Sequence, residues 1–197
     1  CDDYAGYKAL FSTGITEAGC LAHARRKFFD LHTQNQSLIA ADALGYFGQL
    51  YQIERDAAGF TPTERQQLRQ SQAKPIADHL HTWLIQQRQK VPNSTASAKA
   101  IDYTLKRWAA LTRYLSDGQI PIDNNWIENQ IRPIALGRKN WLFAGSLRAG
   151  KRAAGIMSLI QSAKLNCHDP HAYLKDVLTR LPSQPNSRIG ELLPHRW

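Results

Sequence analysis

The sequence has little cysteine, a deficit of acidic side chains and no long apolar run. Its three cysteines, Cys1, Cys20 and Cys167, are an odd number at wide spacing, which argues against a disulfide framework and for a reducing cytoplasm. No run of roughly eighteen apolar residues occurs, so the sequence predicts no membrane span. Internal repeats and low-complexity tracts are also missing, and 43% of the residues are hydrophobic, which excludes a disordered chain.

The deficit of acids leaves a strongly basic chain. Its 25 Lys and Arg residues outnumber 16 Asp and Glu residues, which gives a formal net charge of +9. Such a charge favours a polyanionic partner, chiefly nucleic acid, although charge alone leaves a merely soluble basic protein open. The sequence starts at CDDYAGYKAL, without Met or a leading loop, so we expect a fragment of a longer protein that lacks N-terminal structure.

Apolar residues at helical spacing run almost without interruption from about Ala24 to Gly118, which predicts a large helical segment. Two other apolar runs predict strands, ITEAGCLA at residues 15–22 and NWLFAG at residues 140–145. We therefore expect an α/β protein that is mostly α. In the last helix we expect residue 169 as the N-cap and a proline as the first helical residue.

The stretch IDNNWIENQIRPIALGRKNWLFAGSLRAGKR, residues 122–152, places two acids beside many bases. Asp123 or Asn124 is a suitable N-cap for a helix that carries Glu128, and Pro133 is expected to stop or kink that helix early. Five residues correspond to about 500° around a helix, so Asp123 and Glu128 would not share a face. The bases of this stretch are Arg132, Arg138, Lys139, Arg148, Lys151 and Arg152.

Two kinds of short motif allow both a functional and an ordinary interpretation. GSLRAGKR, residues 145–152, has the glycine and lysine spacing of a phosphate-binding P-loop. However, Arg152 stands where that loop needs Ser or Thr, which favours a basic turn that contacts phosphate. Cys20-x-x-His23 and CHDPH at residues 167–171 have the spacing of half a zinc site, but neither is doubled as in a zinc finger.

Six stretches, taken in order, resemble the transposases of the insertion sequence sixty-six family. They are DDYAGYKALF, GCLAHARRKFFD, IDNNWIENQIRPIALGRKNWLFAGS, SLIQSAKLN, DPHAYLKDVLTRLP and the final LLPHRW. The match runs over nearly the whole chain, and its central stretch is long and specific. The resemblance implies a DDE-type transposase, in which two Asp and one Glu hold two divalent metal ions.

The same resemblance implies which residues are catalytic and bind metal. The second Asp of the family lies in a D-x-Y-x-x-Y stretch and corresponds to Asp2, with Tyr4 and Tyr7 at the two tyrosine positions. The Glu of the family corresponds to Glu128. The first Asp is expected upstream, outside this sequence, so the activity of the chain by itself stays open. The implied cofactor is Mg²⁺ or Mn²⁺, with two ions in the complete site.

For the fold, the resemblance implies a partial ribonuclease H-like core that lacks its first strands, with a large all-α insertion before the glutamate helix. The expected division assigns residues 1–22 to the core, 23–118 to the helical insertion, 119–182 to the rest of the core and 183–197 to a C-terminal tail. Cys20 and His23 match a signature found at the start of such insertions, where the histidine would support the site or contact DNA.

The expected partner is double-stranded DNA, at the element ends and at the target, bound by a homo-oligomer in the cytoplasm near the nucleoid. Trp126 and Trp141 are expected to pack in the core or to stack on a distorted base, with the core favoured. Two alternatives stay open: a DNA-binding transposase remnant without chemistry, and a nucleotide-binding module on residues 145–151. The residues expected to contact DNA are His23, Arg25, Arg26, Arg132, Arg138, Lys139, Arg148, Lys151 and Arg152.

Overall fold

A computed structural model of the chain describes residues 6, 8–141 and 144–197. Throughout these residues the regular secondary structure is helical, and no β-strand occurs among them. The expected α/β fold with a partial ribonuclease H-like core was therefore wrong for the described part of the chain. The chain divides into two compact units, Cys1–Trp126 and Ile127–Trp197.

The longer helices of the first unit form a bundle in which each of four helices packs on two others. Helix α2 packs against α3 and α6, and α5 packs against the same two helices. Shorter helical segments connect them. In chain order the unit contains α1 (Lys8–Phe11), α2 (Leu21–Asn35), α3 (Leu38–Asp56), α4 (Pro62–Leu68), a π-helical turn (Arg69–Ala73), α5 (Lys74–Lys90), α6 (Ala96–Lys106), α7 (Trp108–Leu111) and a 3₁₀ turn (Arg113–Ser116).

The spacing of apolar residues explains why α2 lies against this core. Leu21, Ala24, Phe28 and Leu31 recur every three or four residues and are all buried. The Phe28 ring lies 5.7 Å from the Phe47 ring of α3, measured between centroids. Each buried Leu or Phe side chain contributes about 1.5–3 kcal/mol to folding, so this face of α2 helps to hold the bundle together.

Of residues 15–22, predicted as a strand, residues 15–20 instead form a connection without regular secondary structure, and residues 21 and 22 begin α2. The Gly19 amide donates to the Ala110 carbonyl (2.8 Å), and the Leu21 amide donates to the Ile122 carbonyl (3.1 Å). These acceptors belong to two different segments, so the bonds cannot continue as the ladder that defines a sheet. A Cβ on Gly19 would stand 3.1 Å from the carbonyl carbon of Ala110, so the connection needs glycine for its close approach.

A buried arginine links α3 to the loop that follows α7. Arg69 is 1% exposed, and its guanidinium donates to both carboxylate oxygens of Glu54, at 2.8 and 2.6 Å. The same guanidinium donates over 2.8–2.9 Å to the backbone carbonyls of Tyr114, Asp117 and Ile120. This arrangement satisfies a charge that would otherwise be costly to bury. It also fixes the chain just before residue 122, where the stretch that carries Asp123 and Glu128 begins.

Three helices follow, α8 (Asn125–Trp141), α9 (Leu147–Leu165) and α10 (Pro170–Arg180), and then two 3₁₀ segments, Leu181–Ser183 and Asn186–Leu192. Residues 140 and 141 of the second predicted strand are the end of α8, while residues 142 and 143 lie outside the described residues. None of the described helices combines the length and the apolar character needed to cross a membrane.

Helix α8 continues past Pro133, whereas the sequence predicted an early end. A proline has no amide hydrogen, so the carbonyl four residues before it loses its helical partner. Beside this gap, the side-chain amide of Gln161 on α9 donates to the Gln130 carbonyl over 3.1 Å. The donor thus reaches the carbonyl next to the one that Pro133 leaves without its helical partner, and the helix that carries Glu128 extends over 17 residues.

The last helix begins as predicted, and the C-terminal tail docks against it. Asp169 is the N-cap of α10 and Pro170 is its first residue. The Trp197 ring lies edge-on to the buried Tyr173 ring, with centroids 5.6 Å apart, and its indole N–H donates to Asp176 over 2.7 Å. These contacts hold the tail on the helix that precedes it.

Candidate nucleic-acid interface

Of the two acids that the resemblance assigns to metal binding, the structure describes Glu128 but not Asp2. Glu128 lies in the first turn of α8 with an exposed side chain, so its carboxylate offers the hard oxygen ligands that Mg²⁺ prefers. Asp2 lies outside the described residues, and its pairing with Glu128 stays a prediction. Among residues 6, 8–141 and 144–197, no group of three or more His, Cys, Asp or Glu side chains is arranged to hold a metal.

Asp123 has a structural role that its hydrogen bonds define. Its Oδ1 accepts from the backbone amide of Asn125 (3.1 Å), and its Oδ2 accepts from the side-chain amide of the same residue (3.0 Å). The Tyr51 hydroxyl of α3 also donates to Oδ2, over 2.9 Å. The carboxylate therefore accepts from the first residue of α8, the capping role that was predicted for Asp123 or Asn124, and it also accepts from Tyr51 of α3.

The environment of Tyr51 keeps its hydroxyl protonated. Burial is the main cause, and the negative charge of Asp123 and the hydrogen bond to it add to the effect, so the pKa of Tyr51 is raised far above its ordinary value. The hydroxyl can therefore donate to Asp123 throughout the physiological pH range.

A basic cleft opens beside this network, between α2 and α3. We call it the α2–α3 cleft; its volume is about 720 Å³, and its lining includes three arginines, two aromatic residues and one acid. Arg25, Arg26 and Phe29 come from α2, whereas Tyr51 and Arg55 come from α3. Spacings of four residues, from Arg25 to Phe29 and from Tyr51 to Arg55, bring these pairs onto the same helix face.

The bases predicted to contact DNA are distributed over both units. On α2, Arg25 and Arg26 are exposed and His23 is half-buried. In the second unit, Arg148 and Lys151 are spaced by three residues and so share a face of α9, which is typical of a surface that follows phosphates. Lys139 lies within α8. The exposed predicted bases of the second unit are Arg132, Arg138, Arg148, Lys151 and Arg152.

The P-loop interpretation of residues 145–152 does not agree with the observed backbone. Gly145 adopts a positive φ of 76°, Ser146 caps the helix by accepting from the Ala149 amide (3.1 Å), and α9 begins at Leu147. Only two residues of the motif therefore precede the helix, whereas a phosphate cradle needs the whole glycine-rich loop before it.

The Cys and His motifs also have ordinary surroundings. Cys20 is buried at the N-cap of α2, and Cys167 is exposed in the turn after α9. His168 Nε2 lies 2.9 Å from the Pro194 carbonyl, and its ring meets the Trp197 ring edge-on, with centroids 4.9 Å apart. This histidine is therefore part of the contact that docks the tail.

Sequence reasoning missed Phe29 and Arg55 as members of the cleft. A signal existed, since Phe29 follows Arg25 by four residues on a predicted helix. The pairing of α2 with α3, which brings Arg55 to the same opening, depends on tertiary packing, and no local pattern carries it.

Comparison with known protein families and curated proteins adds an independent observation. A model described as "Transposase IS66 family" matches residues 1–152, and one described as "IS66 C-terminal element" matches residues 158–195. Two proteins of Sinorhizobium fredii, y4hP and y4jD, are 39% and 38% identical over the whole of this chain. No solved structure matches the chain significantly.

The extent of these matches differs between the proteins. The chain spans 39% of the length of y4hP and 40% of that of y4jD, or about two fifths of each relative. YjgZ of Escherichia coli is 65% identical over 26 residues, which are 13% of this chain and 24% of that protein. Because the two family models together cover nearly every residue, the chain belongs to the IS66 family of transposases.

Proposed function

We propose that this chain acts as part of a transposase that cuts and joins DNA at the ends of an insertion-sequence element. The family match over residues 1–152 and 158–195 carries this proposal. The exposure of Glu128 and of several bases on both units agrees with it, because a DNA-cutting protein needs an accessible carboxylate and cationic contacts to phosphates.

Together with the upstream Asp, Glu128 and Asp2 would hold two Mg²⁺ or Mn²⁺ ions, which when bound stabilise the negative charge that develops at phosphorus. In the first reaction, a water oxygen attacks the phosphorus, and the bond to the 3′ oxygen breaks to leave a 3′-hydroxyl. In the second, that hydroxyl attacks a phosphodiester of the target DNA, so one P–O bond forms as another breaks. A first Asp upstream of this sequence would complete the acidic set.

The exposed bases would hold the DNA while the acids take part in the reaction. Contacts from Arg and Lys to phosphates fix the position of a duplex but read no sequence. They also make binding weaken as salt rises, because each neutralised phosphate releases counterions. We expect the bases of α2 and α9 to act in this way, on element ends brought together by a homo-oligomer.

The experiment is a strand-cleavage assay on element-end DNA with a polypeptide that extends upstream to the first Asp. We expect cleavage in Mg²⁺ or Mn²⁺, and a loss of at least about 100-fold in Glu128→Gln, because the amide removes a charged oxygen ligand. DNA binding should persist in that variant. Asp42→Asn, at an exposed position of α3, is the matched control and should cleave normally.

Two results would overturn the proposal in different ways. Equal cleavage by Glu128→Gln and the parent protein would remove the assigned role of Glu128. Salt-sensitive DNA binding without any cleavage, in a polypeptide that carries all three acids, would instead support a DNA-binding remnant that has lost its chemistry.

A further inference from the structure

The α2–α3 cleft has a charge that calls for an anionic ligand. Asp30 is the one carboxylate among its described lining residues, against three guanidinium groups. Within the described part of the chain, the hydrogen bonds of Arg55 go to the neutral side chain of Gln52 and not to an acid. Arg25 and Arg26 likewise form no ion pair with a described residue, although the bundle uses other arginines in such pairs. The positive charge of the cleft is therefore available to a ligand.

The cleft also presents an aromatic ring to solvent. Phe29 is 48% exposed, which leaves a large apolar surface uncovered beside cationic groups. The Arg25 guanidinium carbon lies 5.7 Å from the centroid of the Phe29 ring, within the range of a cation–π contact. That contact holds the guanidinium at the ring. An exposed ring beside several arginines is the combination that proteins use to stack a base while they hold its phosphates.

The volume of the cleft favours unpaired over paired DNA. A volume of about 720 Å³ is that of a site for a small molecule. A duplex keeps its bases stacked inside and offers only its outer surface to a concave site. An unpaired nucleotide can enter such a site, since its base is free to leave the stack. The cleft, with the exposed Phe29 ring in its lining, therefore fits a single nucleotide and its neighbouring phosphates.

We propose that the α2–α3 cleft binds an unpaired nucleotide of single-stranded DNA, with its base stacked on Phe29 and its phosphates held by the cleft arginines. The inference rests on the proposed function, because strand cutting at an element end exposes unpaired nucleotides next to the site. It assigns the helical bundle a task distinct from the reaction itself, which is to hold a frayed or displaced strand.

The test compares the binding of the 197-residue chain to a short fluorescein-labelled single strand and to the same sequence as a blunt duplex, by fluorescence anisotropy. Phe29→Ala should weaken single-strand binding roughly fivefold to a hundredfold, the usual effect of removing one stacking ring. Duplex binding should change by less than about twofold, because the bases of α2 and α9 that contact duplex phosphates stay in place and no duplex base reaches Phe29. Phe29→Tyr, which keeps a ring, should bind the single strand like the parent.

Phe60→Ala is the matched control, since Phe60 is also exposed, at 42%, but does not line the cleft. Unchanged helical circular dichroism and an unchanged melting temperature would show that each variant folds. Arg26→Gln should weaken single-strand binding and reduce the salt dependence of that binding, and a purely structural defect would not change the salt dependence.

Three outcomes would overturn the inference. The first is single-strand binding by Phe29→Ala equal to that of the parent. The second is an equal loss for strand and duplex, which would make the cleft a general phosphate track. The third is tighter binding to RNA of the same sequence than to DNA. Because Glu128 takes no part in this assay, these results leave the cleavage test unaffected, and the two proposals can fail separately.

Discussion

Replacement of Arg69 by Met is the sharpest stability test that the structure offers. The substitution keeps much of the side-chain length but removes the charge and every donor. Glu54, whose side chain is 15% exposed, then loses its cation, and three backbone carbonyls lose their donor. Removal of one partner of a buried ion pair costs about 3–5 kcal/mol, because the other charge stays buried without compensation. We expect a loss of at least this size.

Thermal and urea unfolding, followed by circular dichroism, measure the effect. At about 2–4 °C per kcal/mol for a chain of this size, a loss of about 3–5 kcal/mol in Arg69→Met should lower the melting temperature by roughly 6–20 °C. Arg65→Met is the matched control, because Arg65 also donates to two carbonyls, those of Gly118 and Phe60, but is half-exposed. It should cost no more than about 1.5 kcal/mol.

The double variant Arg69→Met with Glu54→Leu separates a lost charge pair from lost packing. It should recover a large part of the loss, since neither charge is then left buried. If Arg69→Met unfolds like Arg65→Met, the guanidinium does not stabilise the bundle in the way argued above.

Two further stability predictions follow from the first unit. A Cβ on the buried Gly118 would stand 1.8 Å from the Pro62 carbonyl oxygen, so Gly118→Ala should lower the free energy of unfolding in urea by about 1–3 kcal/mol. Gly45→Ala, on an open face of α3, should be neutral or stabilising by up to about 1 kcal/mol. A larger loss for Gly45→Ala than for Gly118→Ala would contradict the close approach at Gly118. Because the folded pKa of Tyr51 is raised, its contribution to the free energy of unfolding is complete below the unfolded pKa of about 10 and falls as pH rises above it. Tyr51→Phe should cost about 1 kcal/mol at neutral pH and reduce this alkaline decline, which a pH series of urea melts would measure; Tyr114, whose pKa is also raised, should retain part of it.

The parts of the fold that local patterns determine were readable from the sequence. The buried face of α2 follows from apolar residues three and four apart, and Asp169 with Pro170 marks the start of α10. The cap on α8 was also readable, because Asp123 is one of the side chains that accept a bond from a helix N-terminus.

The errors arose where tertiary partners decide the outcome. Residues 15–22 have the apolar content of a strand, but a strand needs a neighbour, and this segment meets two separate acceptors instead. Pro133 predicted a short helix, yet Gln161 from another helix donates beside the interrupted turn. Local propensity has no access to either contact. The ribonuclease H-like core, which the resemblance implied, was wrong for the described residues because they contain no strand.

The candidate site shows the same division. Arg25 and Arg26 could be singled out as exposed bases of a predicted helix, and the structure places both at the α2–α3 cleft. Phe29 and Arg55 could not be added without knowledge that α2 packs on α3. The assignment of Asp2 and Glu128 rests on the family resemblance and stays a prediction for the assays above.

The most direct measurement of the central claim is a metal-rescue assay on Glu128→Cys in the upstream-extended polypeptide. Mg²⁺ requires hard oxygen ligands, whereas a thiolate suits softer metals. If Glu128 holds a catalytic metal, the parent cuts element-end DNA in both Mg²⁺ and Mn²⁺, and the cysteine variant is inactive in Mg²⁺ but regains cleavage in Mn²⁺. Cleavage in Mg²⁺ by Glu128→Cys at the parent rate would contradict the account.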